Sequence, residues 1–399
     1  MWKPIITDTV LKKSIQEKIS EISFVLNSNE ILNPENTGLL SGQSGILLFK
    51  AYHDLYTQSV NGNNIEKSIL NIFSGVNTKG GLSYSNGMCG VLWALNHLVD
   101  LELLDIDEDF FEETTSAIQD DLVVNSNTNN YDYLHGAFGQ IHYLLGRKQK
   151  FDRKIIDNVL KKYAETSETI DDKMCRKILL NFDTRKIGYC LGLAHGVPGV
   201  ILILVNYLKL FPNDILARDI LLKNLNFLIS TKKDKPDPYY FPTCIVEDYK
   251  DYGKLGWCYG DLGCALAIFK AGKLLHRNDL VEEAISLFML LTTCKGTKEQ
   301  YITDADFCHG TVGIAHFFNR MYNWTDINEF KIASEYWYSE TMNLAKFTDG
   351  LAGFKHFNGL KKDFVCQQGF LEGVAGIGLS LMASISHIEP KWDRSLLLD

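Results

Sequence analysis

The sequence lacks any apolar run long enough to cross a bilayer as a helix, and its longest apolar stretch lies at 200–205. Residues 1–8 also lack the apolar core of a secretory signal peptide. These two absences favour a cytoplasmic protein, one that could still reach the inner face of the membrane through partner proteins.

An excess of positive charge is missing too. The chain carries 49 acidic and 40 basic residues, a formal net charge of −9. This balance argues against non-specific binding to nucleic acid, which depends on clustered lysine and arginine. No linker rich in glycine, serine or proline divides the sequence, so we expect one large domain that spans residues 1–399.

Cysteine pairs with C-x-x-C spacing are absent as well. The nine cysteines are an odd number, and a cytoplasmic setting would keep them reduced, so we expect no disulfide framework. Any metal site must therefore combine ligands from distant segments of the chain.

The sequence does contain a repeat. Seven times, a G-x-x-G unit is followed by a run of apolar residues. The first glycines of these units are Gly42, Gly87, Gly136, Gly196, Gly260, Gly310 and Gly373. Self-similarity at such intervals is typical of repeat architectures.

The segments after the glycines are apolar on nearly all sides, which suits helices buried between neighbours. The segments between them are amphipathic, at 64–73, 110–122, 153–163, 215–229, 279–291 and 327–342. We therefore predict an all-α fold, an α/α toroid of seven inner and about seven outer helices. An open solenoid is the alternative, but the apolar last repeat favours a closed ring. A loop or short hairpin is expected as an insertion at about 232–254.

Alignment of the repeats by their first glycine places Cys258 and Cys308 at the same position, two residues before that glycine. The residues immediately before it include His135, His195, Tyr259 and His309. In a ring of repeats, these side chains gather at one rim. Two thiolates and one imidazole suit zinc, and three protein ligands leave the fourth position for water or substrate. Cys258, Cys308 and His309 therefore form a predicted catalytic zinc site, provided that the chain turns at 308–309.

Each of these residues also has a purely structural interpretation. A buried cysteine is usually a small, inert side chain. His195 could be a core histidine whose hydrogen bonds are satisfied, or it could act on a substrate. We assign His135 and the remaining cysteines to packing.

Three motifs resemble those of the lanthionine synthetase C-like family, the zinc-dependent cyclases of lantibiotic biosynthesis. They are G-L-A-H-G at 192–196, W-C-Y-G at 257–260 and C-H-G at 308–310. The resemblance extends over essentially the whole chain. The combination of W-C-Y-G with C-H-G is highly specific, whereas a single G-x-x-G is not.

The resemblance implies roles for individual residues. It implies that Cys258, Cys308 and His309 bind one Zn²⁺ and that His195 acts as an acid and base. Asp132 matches an acidic residue of the family in the third repeat, and Tyr259 matches the tyrosine that follows the first zinc cysteine. At the fourth residue before that cysteine the family commonly has arginine, and this chain has Lys254. Lysine keeps the charge but lacks the bidentate fork.

The activity that this resemblance implies is an intramolecular Michael addition on a modified peptide. The substrate is a precursor peptide with a leader, in which a separate dehydratase has converted serine or threonine to dehydroalanine or dehydrobutyrine. A cysteine thiol of the peptide adds to the dehydrated residue and closes a thioether ring. The resemblance also implies partners, namely the dehydratase and an export transporter at the membrane.

Other functions remain open on the residues alone. Protein prenyltransferases are also helical toroids with zinc, but their metal ligands are Asp, Cys and His. A toroidal glycosidase would use carboxylates such as Asp132, Asp306 and Glu372 and would leave the thiols without a purpose. An enzyme that adds glutathione to dehydrated residues would increase the mass of its substrate. A binding scaffold with a structural zinc would need a fourth protein ligand.

Overall fold

The computed structural model describes residues 1–28, 34–59, 62–75, 81–148, 150–181, 186–235, 239–246, 249–252 and 254–399. Fourteen α-helices lie in this part of the chain, in the order α1 (Thr9–Asn27), α2 (Gln43–Thr57), α3 (Gly62–Gly75), α4 (Met88–Asp100), α5 (Glu108–Asn127), α6 (Ala137–Gly146), α7 (Arg153–Thr166), α8 (Val197–Leu210), α9 (Ile215–Ser230), α10 (Asp261–Leu275), α11 (Asn278–Leu291), α12 (Thr311–Thr325), α13 (Asn328–Asn343) and α14 (Val374–Ile385). None of these helices is long and apolar enough to span a bilayer.

The chain divides into two compact units. Unit 1 comprises Met1–Asp105 and Lys295–Asp399, and unit 2 comprises Ile106–Cys294. The prediction of one domain over 1–399 concerns the whole chain and stays a prediction.

The helices that follow the G-x-x-G glycines are the most deeply buried ones. All twelve residues of α14 are buried, and so are nine of the ten residues of α6. In unit 1, α12 packs on α14, α14 on α2, and α2 on α4. In unit 2, α6 packs on α8 and α8 on α10. The amphipathic helices pack on this inner series, as α13 does on α12 and α11 on α10, which matches the predicted division into inner and outer helices.

The repeated glycines fit the turn that precedes each inner helix. A Cβ atom at Gly90, Gly199 or Gly376 would collide with the carbonyl oxygen of the residue six positions earlier. The chain therefore folds back tightly on itself just before the helix begins. These three glycines therefore accommodate this turn.

Short strands are inserted between the helices of unit 2. β1 (Glu168–Ile170) pairs with β2 (Lys173–Cys175), and a four-stranded antiparallel sheet has the order β3 (Ile178–Asn181), β4 (Lys186–Cys190), β5 (Pro242–Val246), β6 (Tyr249–Tyr252). β5 and β6 lie within the segment 232–254, of which residues 236–238, 247–248 and 253 are outside the described residues. Strands β1–β4 were not predicted from the sequence. In unit 1, β7 (His356–Asn358) pairs with β8 (Asp363–Val365).

Gly260 is the N-cap of α10, and its φ of 113° lies in a region that L side chains rarely adopt. A Cβ atom there would also collide with the carbonyl oxygen of Lys254. We therefore expect Gly260→Ala to lower the free energy of unfolding by about 2–3 kcal/mol. Urea denaturation measures this change. The matched control is Gly146→Ala, where the added methyl group meets no atom within 4 Å. Equal stability of the two variants would contradict the prediction.

Candidate active site and metal ligands

His195 and Asp132 form the first part of the candidate site, and both belong to unit 2. His195 directly precedes Gly196, the N-cap of α8, and its Nδ1 atom lies 2.7 Å from Oδ2 of Asp132. The other carboxylate oxygen, Oδ1, accepts hydrogen bonds from the backbone N–H groups of Leu134 and His135, at 2.9 and 2.8 Å. Asp132 is thus held by its own turn and orients the His195 ring. Nε2 is then the nitrogen that can exchange a proton with a substrate.

The charge of His195 follows from this contact. Burial lowers the pKa of His195, but the hydrogen bond to Asp132 and the charge of Asp132 outweigh burial and raise that pKa above its ordinary value. The ring of His135 stacks on His195, with centroids 6.1 Å apart. Burial lowers the pKa of His135, which disfavours a second positive charge beside His195. His135, which we assigned to packing, therefore adjoins the predicted acid–base residue.

A pocket of about 760 Å³ opens beside this pair within unit 2. His195, Asp132, His135 and Tyr259 line it, together with residues 176–180, which run from the end of β2 into β3. This volume is typical of pockets that bind small organic ligands, and it is also large enough for a short peptide segment. The predicted acid–base residue thus faces a space that can hold part of a substrate.

The loop before α10 carries Cys258 and Tyr259 in unit 2. An antiparallel bridge between Leu255 and Gly260 closes this loop. A Cβ atom at Gly192 would collide with the Cys258 carbonyl oxygen and contact the Tyr259 ring at 2.6 Å. Only glycine therefore lets the 192–196 motif approach the loop this closely, and the approach brings the two motifs together.

Tyr259 and Lys254 lie near the His195–Asp132 pair in different ways. The ring of Tyr259 is 6.3 Å from the ring of His195, measured between centroids, and it lines the same pocket. The Nζ atom of Lys254 lies 5.9 Å from the centroid of the Tyr259 ring, and Lys254 does not line the pocket. Within unit 2, Tyr259 is therefore placed to contact a substrate. Lys254 lies near the Tyr259 ring but is not among the residues that line the pocket.

Cys308 and His309 lie in unit 1, in the turn just before Gly310, the N-cap of α12. The backbone N–H of Cys308 donates a hydrogen bond of 3.0 Å to the carbonyl oxygen of Leu371. The Cys308 side chain is buried, whereas the His309 side chain is 34% exposed. The turn that allows two consecutive residues to bind one ion is therefore present.

Three side chains that we did not assign to the metal site surround His309 in unit 1. Asp306 accepts a hydrogen bond of 3.3 Å from the His309 backbone N–H, and its Oδ2 lies 2.7 Å from Nδ1 of His356. Asp304 accepts a hydrogen bond from the backbone N–H of Phe357 at 2.9 Å. One ligand-type atom from each of Asp304, Asp306, His309 and His356 lies within 4.8 Å of the others. Asp304 and Asp306 lie just before Cys308 and His309 in the sequence, and this proximity was the sequence signal for the cluster.

The charges of this cluster follow from burial and mutual contact. Burial and the charge of Asp306 raise the pKa of Asp304. Burial also acts to raise the pKa of Asp306, but the positive charges of His309 and His356 hold it below its ordinary value. Nε2 of His309 lies 3.9 Å from Oδ2 of Asp304 and 4.0 Å from Oδ2 of Asp306. The His309 imidazole therefore lies within ion-pair distance of both carboxylates, whereas its hydrogen bond to Asp306 comes from the backbone N–H.

The donor chemistry of the three predicted metal ligands fits zinc. Cys258 offers Sγ in unit 2, and Cys308 and His309 offer Sγ and a ring nitrogen in unit 1. All three residues lie in the turn that precedes an inner helix, Cys258 before α10 and the other two before α12. That the three bind one ion stays a prediction.

Comparisons with known proteins agree on the fold. The sequence profile described as "Lanthionine synthetase C-like protein" matches residues 33–397. The solved structure titled "Nisin cyclase" is similar over 98% of this chain and 98% of its own, with a TM-score of 0.70 and 20% sequence identity. That similarity shows the fold, so the predicted α/α toroid is confirmed. A search of curated proteins by sequence finds no match.

Proposed function

Because the chain belongs to the lanthionine synthetase C-like family, we propose that it is a zinc-dependent cyclase that closes thioether rings in a dehydrated precursor peptide. The observation that carries the proposal is the 2.7 Å contact between His195 and Asp132 at the edge of a pocket of about 760 Å³. This contact supplies a proton donor beside a space for a peptide. The reaction proposed from the family, addition of a thiol to a dehydrated residue, needs such a proton donor.

In this proposal, Cys258, Cys308 and His309 bind one Zn²⁺. The bound metal would lower the pKa of a cysteine thiol of the peptide, since the thiolate is the nucleophile. Asp306 holds the backbone of His309 through the N–H hydrogen bond described above, and His356 holds Asp306. Two thiolates and one imidazole would leave the fourth position of the zinc open, which is typical of catalytic zinc.

The remaining chemistry belongs to the residues of unit 2. The sulfur of the peptide cysteine bonds to Cβ of the dehydrated residue, and the π electrons of the Cα=Cβ bond move into an enolate. His195, whose pKa Asp132 raises, donates a proton from Nε2 to Cα as the enolate returns to the carbonyl form, and the proton that the peptide thiol released to solvent restores the imidazolium. The ring of Tyr259 lines the same space and contacts the peptide. Lys254 holds a positive charge near the Tyr259 ring in place of the family's arginine.

The same proposal extends to the partners of the protein. Its substrate is a precursor peptide with a leader, supplied by a dehydratase because the reaction needs dehydrated residues. Association with that dehydratase and with an export transporter would place the protein at the inner face of the membrane.

The test is to incubate the protein with a dehydrated precursor peptide and then to alkylate the remaining thiols. Cyclisation leaves the mass of the peptide unchanged, so the readout is the loss of alkylatable cysteines by mass spectrometry. A peptide that keeps all its thiols would contradict the proposal. Addition of glutathione to a cysteine-free dehydrated peptide, seen as a mass increase, would favour the glutathione-adding alternative. Metal spectroscopy with four protein ligands would favour the binding scaffold.

We expect Asp132→Asn to shift the alkaline limb of the pH–rate profile to lower pH. The charge of Asp132 raises the pKa of His195, so the protonated imidazole persists above its ordinary pH range and is lost as pH rises through the raised pKa. The variant removes that charge and keeps the size of the side chain. Initial cyclisation rates between pH 6 and 9, about the range in which imidazole titrates, measure the shift. Asp219→Asn, at a half-exposed aspartate of unit 2 that pairs with Lys223, is the control. An alkaline limb at the same pH in both variants would exclude Asp132 from this role.

A further inference from the structure

We propose that the substrate peptide binds as an added β-strand along the edge of β3, next to His195. This inference rests on the proposed function, because it assigns the binding mode of the peptide at that site. It concerns only unit 2, which contains the whole pocket and all of β3.

The first observation is the way in which β3 borders the pocket. Ile178, Leu179 and Leu180 are consecutive residues of β3, and all three line the pocket. A register shift between Leu179 and Asn181 interrupts the alternation of side chains in this strand, so consecutive residues of β3 can all reach the pocket. The pocket therefore runs along β3, and an edge strand carries backbone N–H and C=O groups that point outward.

The second observation is the position of β3 in its sheet. β3 is the first strand of the order β3-β4-β5-β6, so among the described residues it has one neighbour, β4. Ile178 pairs with Gly188 and Leu179 with Ile187 across that side. The other side of β3 pairs with no strand among the described residues, so it can pair with an extended peptide in the pocket, as exposed sheet edges do in peptide-binding domains.

The chemistry of the pocket fits this occupant. Its wall at β3 is apolar, and Leu179 is 40% exposed. Arg176 adds a positive charge at the end of β2, where its Nη1 atom donates hydrogen bonds to the carbonyl and hydroxyl oxygens of Thr166. Dehydroalanine has a planar Cα and no Cβ substituent, and both features are compatible with an extended backbone. An extended peptide with small apolar side chains beside its dehydrated residue therefore fits both the edge and the pocket.

The pocket is continuous with the predicted acid–base residue. His195 and Asp132 line the same space as β3, so a peptide paired with β3 passes the Nε2 side of His195. Main-chain hydrogen bonds to β3 would fix the position of the dehydrated residue along the strand and would not depend on the side chains of the peptide. Such a binding mode positions one residue for protonation while it tolerates different sequences around it.

The test uses a short synthetic peptide that has dehydroalanine at its centre, alternating valine and threonine on both sides, and no cysteine. This peptide cannot cyclise, so its binding is measured by fluorescence anisotropy with the full-length protein. A series of peptides carries one N-methyl group each, at successive backbone nitrogens. Strand pairing predicts that methylation at every second residue weakens binding by about three- to tenfold and that the alternate positions have no effect. Equal effects at all positions, or none at any, would overturn the proposal.

Two further measurements use the protein side. Hydrogen exchange of the backbone amides at 178–180 should slow when the peptide binds, and unchanged exchange there would also overturn the proposal. Leu179→Thr should weaken binding several-fold, because Leu179 lines the pocket. Its matched control is Ile187→Thr, the paired residue on β4, which is 59% exposed and does not line the pocket. Equal losses in the two variants would contradict an edge site at β3.

This design separates the two proposals. Ring formation by wild-type protein together with non-periodic peptide binding would refute strand pairing and leave the cyclase function standing. Periodic binding without ring formation on a dehydrated precursor would support the site and refute the cyclase function.

Discussion

Cys258→Ala is expected to abolish stoichiometric zinc binding and to lower the rate of ring closure by at least about a hundredfold. A free thiol with a pKa near 8.5 is only a few per cent thiolate at pH 7, so full ionisation of the peptide thiol contributes roughly thirtyfold. The proposed metal would also hold that thiol near its target, and losing this positioning costs the remaining factor. Zinc content by metal analysis and the alkylation assay measure the two losses.

Cys244→Ala is the matched control for this variant. Cys244 is another partly exposed, reduced cysteine of unit 2, and it lies on β5 rather than in the loop before α10. We expect it to bind one zinc and to cyclise at the wild-type rate. If Cys258→Ala kept both its zinc and its rate, the metal site would need other ligands. The cluster of Asp304, Asp306, His309 and His356 in unit 1 would then be the next candidate.

The helices were predictable because their signals are local. A helix such as α9 (Ile215–Ser230) repeats its apolar residues every three to four positions, and the predicted segment 215–229 differs from it by one residue. The repeated glycines then predicted a repeat architecture, because seven similar sequence units indicate seven copies of one structural unit. The same glycines also show the limit of pattern reasoning. Their role in the turns depends on a carbonyl oxygen six residues earlier, which a G-x-x-G spacing does not reveal.

The strands β1–β4 escaped prediction for a physical reason. Each has three to five residues, too few for a clear alternation of apolar and polar side chains. β4 also pairs with β5 across a long stretch of sequence, from Tyr189 and Cys190 to Ile245 and Cys244. A pairing of this kind is set by tertiary packing and not by local preference.

Some residues of the candidate site could be predicted from the sequence, and others could not. The thiols and His309 stood out because repeat alignment places them at equivalent positions. Asp132 lies 63 residues before its partner His195, and only the family resemblance pointed to it. His356 lies 50 residues after Asp306 on a short hairpin, so no local pattern connected them. Residues that act by hydrogen bonding to another site residue are therefore the hardest part of a site to predict from the sequence.

His195→Asn is expected to lower the rate of ring closure by about 10²–10⁴, the usual contribution of a positioned general acid. Asparagine keeps a polar group near Asp132 but cannot deliver a proton, so water must protonate the enolate. Unlike Cys258→Ala, this variant should keep its zinc, because no metal ligand changes.

The stereochemistry of the product gives a second readout, which an unrelated structural defect would not produce. His195 is held on one side of the pocket by Asp132, so in the wild type the proton reaches one face of the enolate. The rings that His195→Asn still forms should contain both configurations at Cα, measured by chiral gas chromatography of the hydrolysed peptide. The matched control is His276→Asn, a histidine at the C-terminal end of α10 that does not line the pocket. A slow variant that still formed a single configuration would mean that His195 does not deliver the proton. The donor would then have to be another group that lines the pocket, and Tyr259 would be tested first.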